Sequence, residues 1–512
     1  MELGLRSSNR APDGTAAPVK EDLRLSYGTA GFRYKADILP FVLYRVGRLV
    51  ALRARVLGKS VGLMITASHN PEGDNGVKLV DPLGEMLSPD WEVLATDLVN
   101  AKDDQWEVEW EKIVGGQKSS SEAKCQVLCG RDTRVSSAAL SEAARAGVAS
   151  ANFGNVEWVD VGEMSTPQLH YAVRCANDPA FGVALGDDFA SYDAHYAGAF
   201  VELYKMPVEA NTASTYDNEL WVDCACGVGA KSLEKVVQHI PKDLLTIHIV
   251  NSTGKLNHGC GADFVKIDQK PPIGFGGSDF QGRRYCRGSL QSSVSRLERR
   301  QALSAAGLAD TLKLGIVQTA YANGASTQYI RDVLKVETRC VPTGVKHLHH
   351  AAQHFDIGVY FEANGHGTVC FSDTDQTEAH RRLRLFSILI NEVVGDGIAD
   401  LLVVESILRY YGWSVDVWFE QQYKDRANRQ IKVPVVRRDT FHCIPDESRL
   451  DRPEQLQKLV DQVVEAAGQG ARAFVRPSGT EAIVRVYAES ERGQAVADHL
   501  ANAISHITSF FE

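Results

Sequence analysis

Short apolar runs that break into small or charged residues recur along the chain, and most lead into helical spacing. Val61-Gly62-Leu63-Met64-Ile65 breaks into Thr66-Ala67-Ser68-His69-Asn70-Pro71. Val127-Leu128-Cys129 breaks into Gly130-Arg131-Asp132-Thr133-Arg134, after which Ser136-Ser137 opens an alanine-rich helix. Leu220 to Ala225 predicts a strand, Cys226 to Ala230 a turn, and residues 231–240 a helix with Leu233, Val236, Val237 and Ile240 on one face. Leu314 to Ala320 predicts a further strand and Ser326 to Val336 a helix, with another strand over Asp356 to Phe361. Leu385, Leu389 and Val393 mark a long helix, followed by one from Ile398 to Tyr410. The polar stretch Gln421 to Gln430 reads as a linker into a small last domain. Repeated strand-turn-helix order predicts α/β layers with largely parallel sheets.

A length of 512 residues is too great for one core and predicts three or four domains. The net charge of -10 argues against nucleic acid or an anionic membrane as the main partner, yet leaves room for a phosphate ligand held by a local cluster of donors. No apolar run reaches the roughly 18 residues of a membrane helix, so the expected compartment is the cytoplasm. The cysteines show no CxxC pair, and Cys125/Cys129 and Cys224/Cys226 are expected to be buried thiols. Residues 1–22 read as a flexible lead-in.

Candidate chemistry gathers in a few loops. Ser68, at the exit of an apolar strand, is a candidate nucleophile; the alternative is a cap for a following helix. Asn75-Gly76 reads as a turn that returns Lys78 towards the same loop, where it could exchange protons with a hydroxyl. In Tyr27-Gly28-Thr29-Ala30-Gly31-Phe32-Arg33, two glycines permit a tight turn and Arg33 could face an anion. Arg131 and Asp132 are expected to form a structural ion pair near Ser68. Glu362 and Asn364, flanking Ala363 at a strand exit, could bond adjacent sugar hydroxyls, although Asn364-Gly365 also suits a hairpin turn. Arg476-Pro477-Ser478-Gly479-Thr480 places an arginine fork beside a hydroxyl-rich turn, and Arg485 could add a second fork around one tetrahedral anion. His347, His349 and His350 are spaced poorly for one metal ion, and Gly227 and Gly229 lack the rest of a dinucleotide-binding loop.

The segment from Thr66 to Leu87 resembles the active-serine loop of the α-D-phosphohexomutases and is most similar to their phosphoacetylglucosamine mutase branch. Tyr27 to Arg33, Glu362-Ala363-Asn364-Gly365-His366-Gly367 and Arg476 to Glu481 resemble that family's opening, sugar-recognition and phosphate-binding loops. The resemblance implies three mixed-sheet α/β domains plus a smaller α+β C-terminal domain around a central cleft. Its divisions fall at 23–178, 179–300, 301–420 and 430–512. It implies interconversion of N-acetylglucosamine 6-phosphate and 1-phosphate through a phosphoserine and a 1,6-bisphosphate, towards UDP-N-acetylglucosamine. Ser68 would carry the phosphoryl group, with His69 and Lys78 managing protons and charge. Arg33 would lie near the serine, Glu362, Ala363 and Asn364 at the sugar, and Arg476 to Thr480 with Arg485 at the phosphate. The partner would be a small sugar phosphate and the chain a monomer, with glucose or mannose phosphates as the in-class alternative.

The same family holds Mg²⁺ with an acidic loop, D-G-D-x-D-R, and a ligand through the phosphoserine. That loop is absent from all 512 residues. Over 273–312 the resemblance lapses into a serine- and arginine-rich stretch, read as a solvated insert containing Arg283, Arg284, Arg287, Arg296, Arg299 and Arg300. A splice variant or misjoined reading frame, a metal-poor enzyme and a sugar-phosphate binder without catalysis all remain open at this point, and no aspartate is assigned as a ligand.

Overall fold

The computed structural model describes residues 24–511 apart from 29, 103, 118–120, 179–180, 182–189, 207–213, 269, 276–282, 286–311, 363–366, 373–380, 392–393, 422 and 479–482. The chain divides into two compact units. The first holds Met1–Met206, Asp217–Ser289 and Ile388–Leu402; the second holds Pro207–Tyr216, Leu290–Ser387 and Val403–Glu512.

In the first unit, β1 (Phe32–Lys35), β2 (Val61–Ile65), β3 (Asp74–Val80), β4 (Cys125–Arg131) and β5 (Val156–Glu163) form a sheet of order β1-β3-β2-β4-β5. β2 is buried at all five positions, as its unbroken apolar run requires of a central strand covered on both faces. It runs parallel to β4 and antiparallel to β3. Ser136-Ser137 does open a helix, α4 (Ser137–Ser150), which packs on α1 (Pro40–Leu57). The Asn75-Gly76 pair is not a turn. Both residues lie within β3, where Asn75 is buried and donates to Ser136 and Ser137 hydroxyls at 2.8 and 3.1 Å. A side chain at position 76 would meet Phe32 O at 2.4 Å, so the glycine permits close strand pairing there.

Ser165-Thr166-Pro167-Gln168 forms a capping box on α5 (Thr166–Asn177), with Gln168 at its third position. Gln168 also accepts from Ser232 at 2.9 Å and donates to Asp193 at 3.3 Å. It thereby joins α5 to α6 (Ala190–Lys205) and α7 (Val228–Val237). Ile388–Leu402 closes the same unit: Tyr192 Oη donates to Asp396, and Asn391 Nδ2 donates to Pro167 O at 3.4 Å. A second sheet, of order β7-β6-β8, joins β6 (Glu219–Asp223), β7 (Thr246–Val250) and β8 (Arg283–Tyr285) in parallel. Arg283 and Arg284 are therefore strand residues paired to β6, not part of an unstructured insert; Arg287, Arg296, Arg299 and Arg300 lie outside the described residues.

Asp193 is 1% exposed, and burial pushes its carboxyl up to about 6 from an ordinary 3.8. The folded chain thus binds this proton more tightly than the unfolded chain, and the stability that Asp193 contributes falls as pH rises from about 3.8 to about 6. At about 1.4 kcal/mol per tenfold change in proton affinity, Asp193→Asn is expected to stabilise the protein at pH 7.5 by up to about 3 kcal/mol. Urea melts of both proteins at pH 4.5 and 7.5 check this: the gain shrinks at the lower pH, and an equal gain at both would remove Asp193 as its source.

In the second unit, β9 (Leu314–Gln318), β10 (Glu337–Cys340), β11 (Ile357–Phe361) and β12 (Gly367–Phe371) form a sheet of order β10-β9-β11-β12. The helix expected after β9 is Gly324–Tyr329, continued by a wider π turn over Ile330–Leu334. The helix marked by Leu385 and Leu389 is Arg381–Leu389; Val393 lies outside the described residues. The last sheet has order β13-β17-β16, from β13 (Ala427–Pro434), β16 (Ala471–Pro477) and β17 (Ile483–Ser490). The expected linker at Gln421–Gln430 is shorter than its polarity suggests, because β13 starts at Ala427. Three of its polar residues, Asn428, Arg429 and Gln430, lie exposed in β13, an edge strand of that sheet.

Candidate active site

Ser68 lies in the turn between β2 and β3. No helix follows it, so the capping alternative falls away. Its φ is +51°, a left-handed backbone that costs an L-residue about 1–2 kcal/mol. Strain of this type persists only where surrounding contacts enforce it. Those contacts are visible. Ser68 N donates to Thr66 Oγ1 at 3.1 Å, and Thr66 Oγ1 donates to Asp132 Oδ2 at 2.7 Å. Asp132 is buried and also accepts from Ser137 Oγ at 2.7 Å and from the Arg134 backbone at 3.0 Å. Its ion-pair partner is Arg134, not Arg131. Arg131 pairs with Asp160 at 2.6 Å on the neighbouring strand, since adjacent residues on a strand point to opposite faces.

Arg33 stands opposite Gly76 in the β1–β3 ladder, and its stem lies over that glycine. The turn before it depends on Gly31, at φ +77°, where a Cβ would sit 2.0 Å from Val77 O. Lys78 pairs with Met64 of β2 and shares its face of the sheet with Val80. Met64 and Val80 pack there against Leu169 and Val173 of α5. His170, also on α5, is fully buried and bonds Gly84 O through Nδ1 at 2.7 Å. Burial, reinforced by the nearby Lys78 ammonium, holds this imidazole well below its ordinary pKa and keeps it neutral. Arg33, Ser68, His69 and Lys78 thus all belong to one sheet and the turn leaving it.

The second unit holds the other candidates. Glu362 follows β11, and Ala363 and Asn364 lie outside the described residues; β11 and β12 pair antiparallel, with Phe361 opposite Gly367. Glu362 Oε1 accepts from Gly344 N at 3.0 Å. The preceding residue, Thr343, donates to Glu447 Oε2 through its backbone and its hydroxyl, at 2.9 and 2.7 Å. The same Glu447 oxygen accepts from Arg476 Nε at 2.5 Å. Glu362 and Arg476 are therefore tied by one polar chain through Gly344, Thr343 and Glu447. Arg476 pairs in register with Arg485 across β16 and β17, which sets both forks on one face. Pro477 ends β16 and Ser478 is buried just beyond; Gly479 and Thr480 lie outside the described residues.

His347, His349 and His350 sit on the helix Val345–Ala352, where His349 faces Tyr360 Oη at 3.2 Å. Five of the described cysteines are buried, including Cys125 and Cys129; Cys224 and Cys226 are partly buried and Cys340 is exposed. Among the described residues no group of three His, Cys, Asp or Glu side chains could hold a metal ion. Asp223, at the end of β6, is taken up by Ala225 N, Asn251 Nδ2 and Gly261 N at 3.0, 2.9 and 2.7 Å. Asp132 and Asp223 are thus engaged by protein donors, and the described residues do not fit a three-carboxylate magnesium site.

The mixed sheets, the strained serine turn and the paired arginine forks define a phosphohexomutase. Domain models agree: the phosphoglucomutase/phosphomannomutase alpha/beta/alpha domain I matches residues 45–106 and 111–185, and the C-terminal domain of the same group matches 431–507. Domain III of the phosphoacetylglucosamine mutase AMG1 matches 294–413. Phosphoacetylglucosamine mutase of Sus scrofa is 41% identical, covering 98% of this chain and 95% of the relative; that of Homo sapiens is 42% identical over 94% and 93%. An Aspergillus fumigatus N-acetylphosphoglucosamine mutase solved with GlcNAc-6P and magnesium superposes with a TM-score of 0.85 at 38% identity, over 96% of this chain and 97% of that one. The chain belongs to the phosphoacetylglucosamine mutase family.

Proposed function

We propose that the protein interconverts N-acetylglucosamine 6-phosphate and N-acetylglucosamine 1-phosphate, an intramolecular phosphotransfer that feeds nucleotide-sugar synthesis. The observation that carries this is likeness to phosphoacetylglucosamine mutases at about 40% identity along nearly the whole chain. Ser68 passes its phosphoryl group to one sugar oxygen and takes the other phosphate back from the 1,6-bisphosphate. Lys78 and His69 hold charge and protons near the transferring group. Glu362, Ala363 and Asn364 bind the sugar, while Arg476, Pro477, Ser478, Gly479, Thr480 and Arg485 grip the phosphate that is not reacting. Arg33 supplies a further positive charge beside the serine turn. Between the two transfers the sugar must reverse end for end.

Mg²⁺ is the cofactor that this reading implies, and the chemistry it would supply is neutralisation of charge on phosphoryl oxygens. The described residues do not assemble its carboxylate ligands, so each role above is assigned to a protein group. A cytoplasmic monomer that binds neither nucleic acid nor membrane completes the reading, supported by the net charge of -10. No described helix is long and apolar enough to cross a membrane.

The test is conversion of N-acetylglucosamine 6-phosphate by the purified chain, with Mg²⁺ and a bisphosphate primer, followed by ³¹P NMR. Growth of the 1-phosphate signal is expected. Sugar phosphate that binds without turning over would overturn the enzymatic reading.

A further inference from the structure

Two side chains reach the serine turn from outside it and converge on the same pair of carbonyl oxygens. Arg134 Nη2 donates to Ser68 O at 3.2 Å and to Asn70 O at 2.9 Å. Asn257 Nδ2 donates to the same two oxygens, both at 2.9 Å. An amide nitrogen carries two hydrogens, so the Asn257 donors are fully used on this one turn. Arg134 is fixed by its buried pair with Asp132. Asn257 is fixed differently. Its own backbone is left-handed, at φ +57°, and its N–H donates to Ala225 O at 3.0 Å. It thus belongs to the turn that follows the β6–β7 layer, far along the chain from the serine it holds.

We propose that Asn257 is a positioning residue for phosphoryl transfer: its amide latches the Ser68 and Asn70 carbonyls and so keeps Ser68 in the left-handed conformation that aims Oγ. The inference rests on Ser68 being the phosphoryl carrier. In that step the Ser68 Oγ–P bond forms as the sugar O–P bond of a hexose 1,6-bisphosphate breaks, and the serine proton passes to the departing sugar oxygen. Without the latch, the strained backbone relaxes towards an extended or right-handed conformation, and Oγ leaves the line of attack. A misplacement of about 1 Å costs on the order of 10²-fold in rate.

Glycine and aspartate both tolerate a left-handed backbone, so Asn257→Gly and Asn257→Asp remove the two donors while sparing the turn that carries them. The experiment measures phosphorylation of Ser68 by N-acetylglucosamine 1,6-bisphosphate in the full chain by intact mass, alongside hydrogen exchange of the peptide over 66–74 and thermal melting. A rate about 10- to 100-fold lower in both variants is expected, with the half-saturating bisphosphate concentration within about twofold, melting unchanged and exchange over 66–74 faster. An unchanged rate would overturn the proposal. So would an equal loss in rate and melting temperature, since that marks a merely structural residue. If the parent chain takes no phosphoryl group, the enzymatic reading fails by itself. Exchange then decides the latch: faster exchange in the variants upholds it, and equal exchange removes it.

Discussion

Ser68→Ala is expected to lower turnover of N-acetylglucosamine 6-phosphate by at least about 10⁴-fold, because in the proposed reaction the residue is the covalent carrier. The left-handed backbone strains serine and alanine alike, so stability should stay within about 1 kcal/mol. A loss of activity therefore reports on chemistry and not on unfolding. Intact mass after exposure to the bisphosphate should show the phosphoryl increment on the parent chain and none on the variant. Equal turnover by both proteins would mean that the phosphoryl group travels by another route.

Asp132→Ala should produce the largest combined effect on stability and activity. The carboxylate is buried and receives the Thr66 hydroxyl, the Ser137 hydroxyl, the Arg134 backbone and the Arg134 guanidinium. Removing one partner of such a pair leaves the guanidinium buried without its counter-charge, a loss of roughly 3–5 kcal/mol. Thr66 and Arg134, the next links to Ser68, would be released together. Denaturant unfolding and phosphorylation assays should therefore fall in parallel for Asp132→Ala. Asn257→Gly, by contrast, should separate the two measurements. A stable Asp132→Ala protein of full activity would show that Ser68 does not depend on this network.

Much of this was legible in the chain, and the exceptions share a cause. Val61–Ile65 could be read as a buried strand because unbroken apolarity has few other outcomes at that length, and Ser68 followed from where the strand must end. Arg476 and Arg485 could be picked out as candidate anion binders from side-chain chemistry, and their pairing in register across β16 and β17 sets them side by side. Asn75-Gly76 was misread because Asn-Gly usually marks a turn, while burial of the Asn75 amide against Ser136 and Ser137 decides in favour of a strand. Arg131 and Asp132 were paired by proximity in sequence, whereas strand alternation sends them apart. Nothing in residue spacing singles out Asn257 or Glu447, whose contacts to Ser68 and Arg476 span 189 and 29 residues.

The capture of Ile388–Leu402 by the first unit bears on how the protein is made. Leu389, Ile390 and Leu402 are almost wholly buried, and Asn391 and Asp396 meet Pro167 and Tyr192. A nascent chain halted after Ser289 would carry every strand of the serine-bearing sheet and still show these contact surfaces to solvent. Translation order and folding order are thus out of step. The segment that completes the first unit emerges only after much of the second, and a ribosome-bound intermediate must wait for it with apolar surface uncovered, in the condition that recruits chaperones.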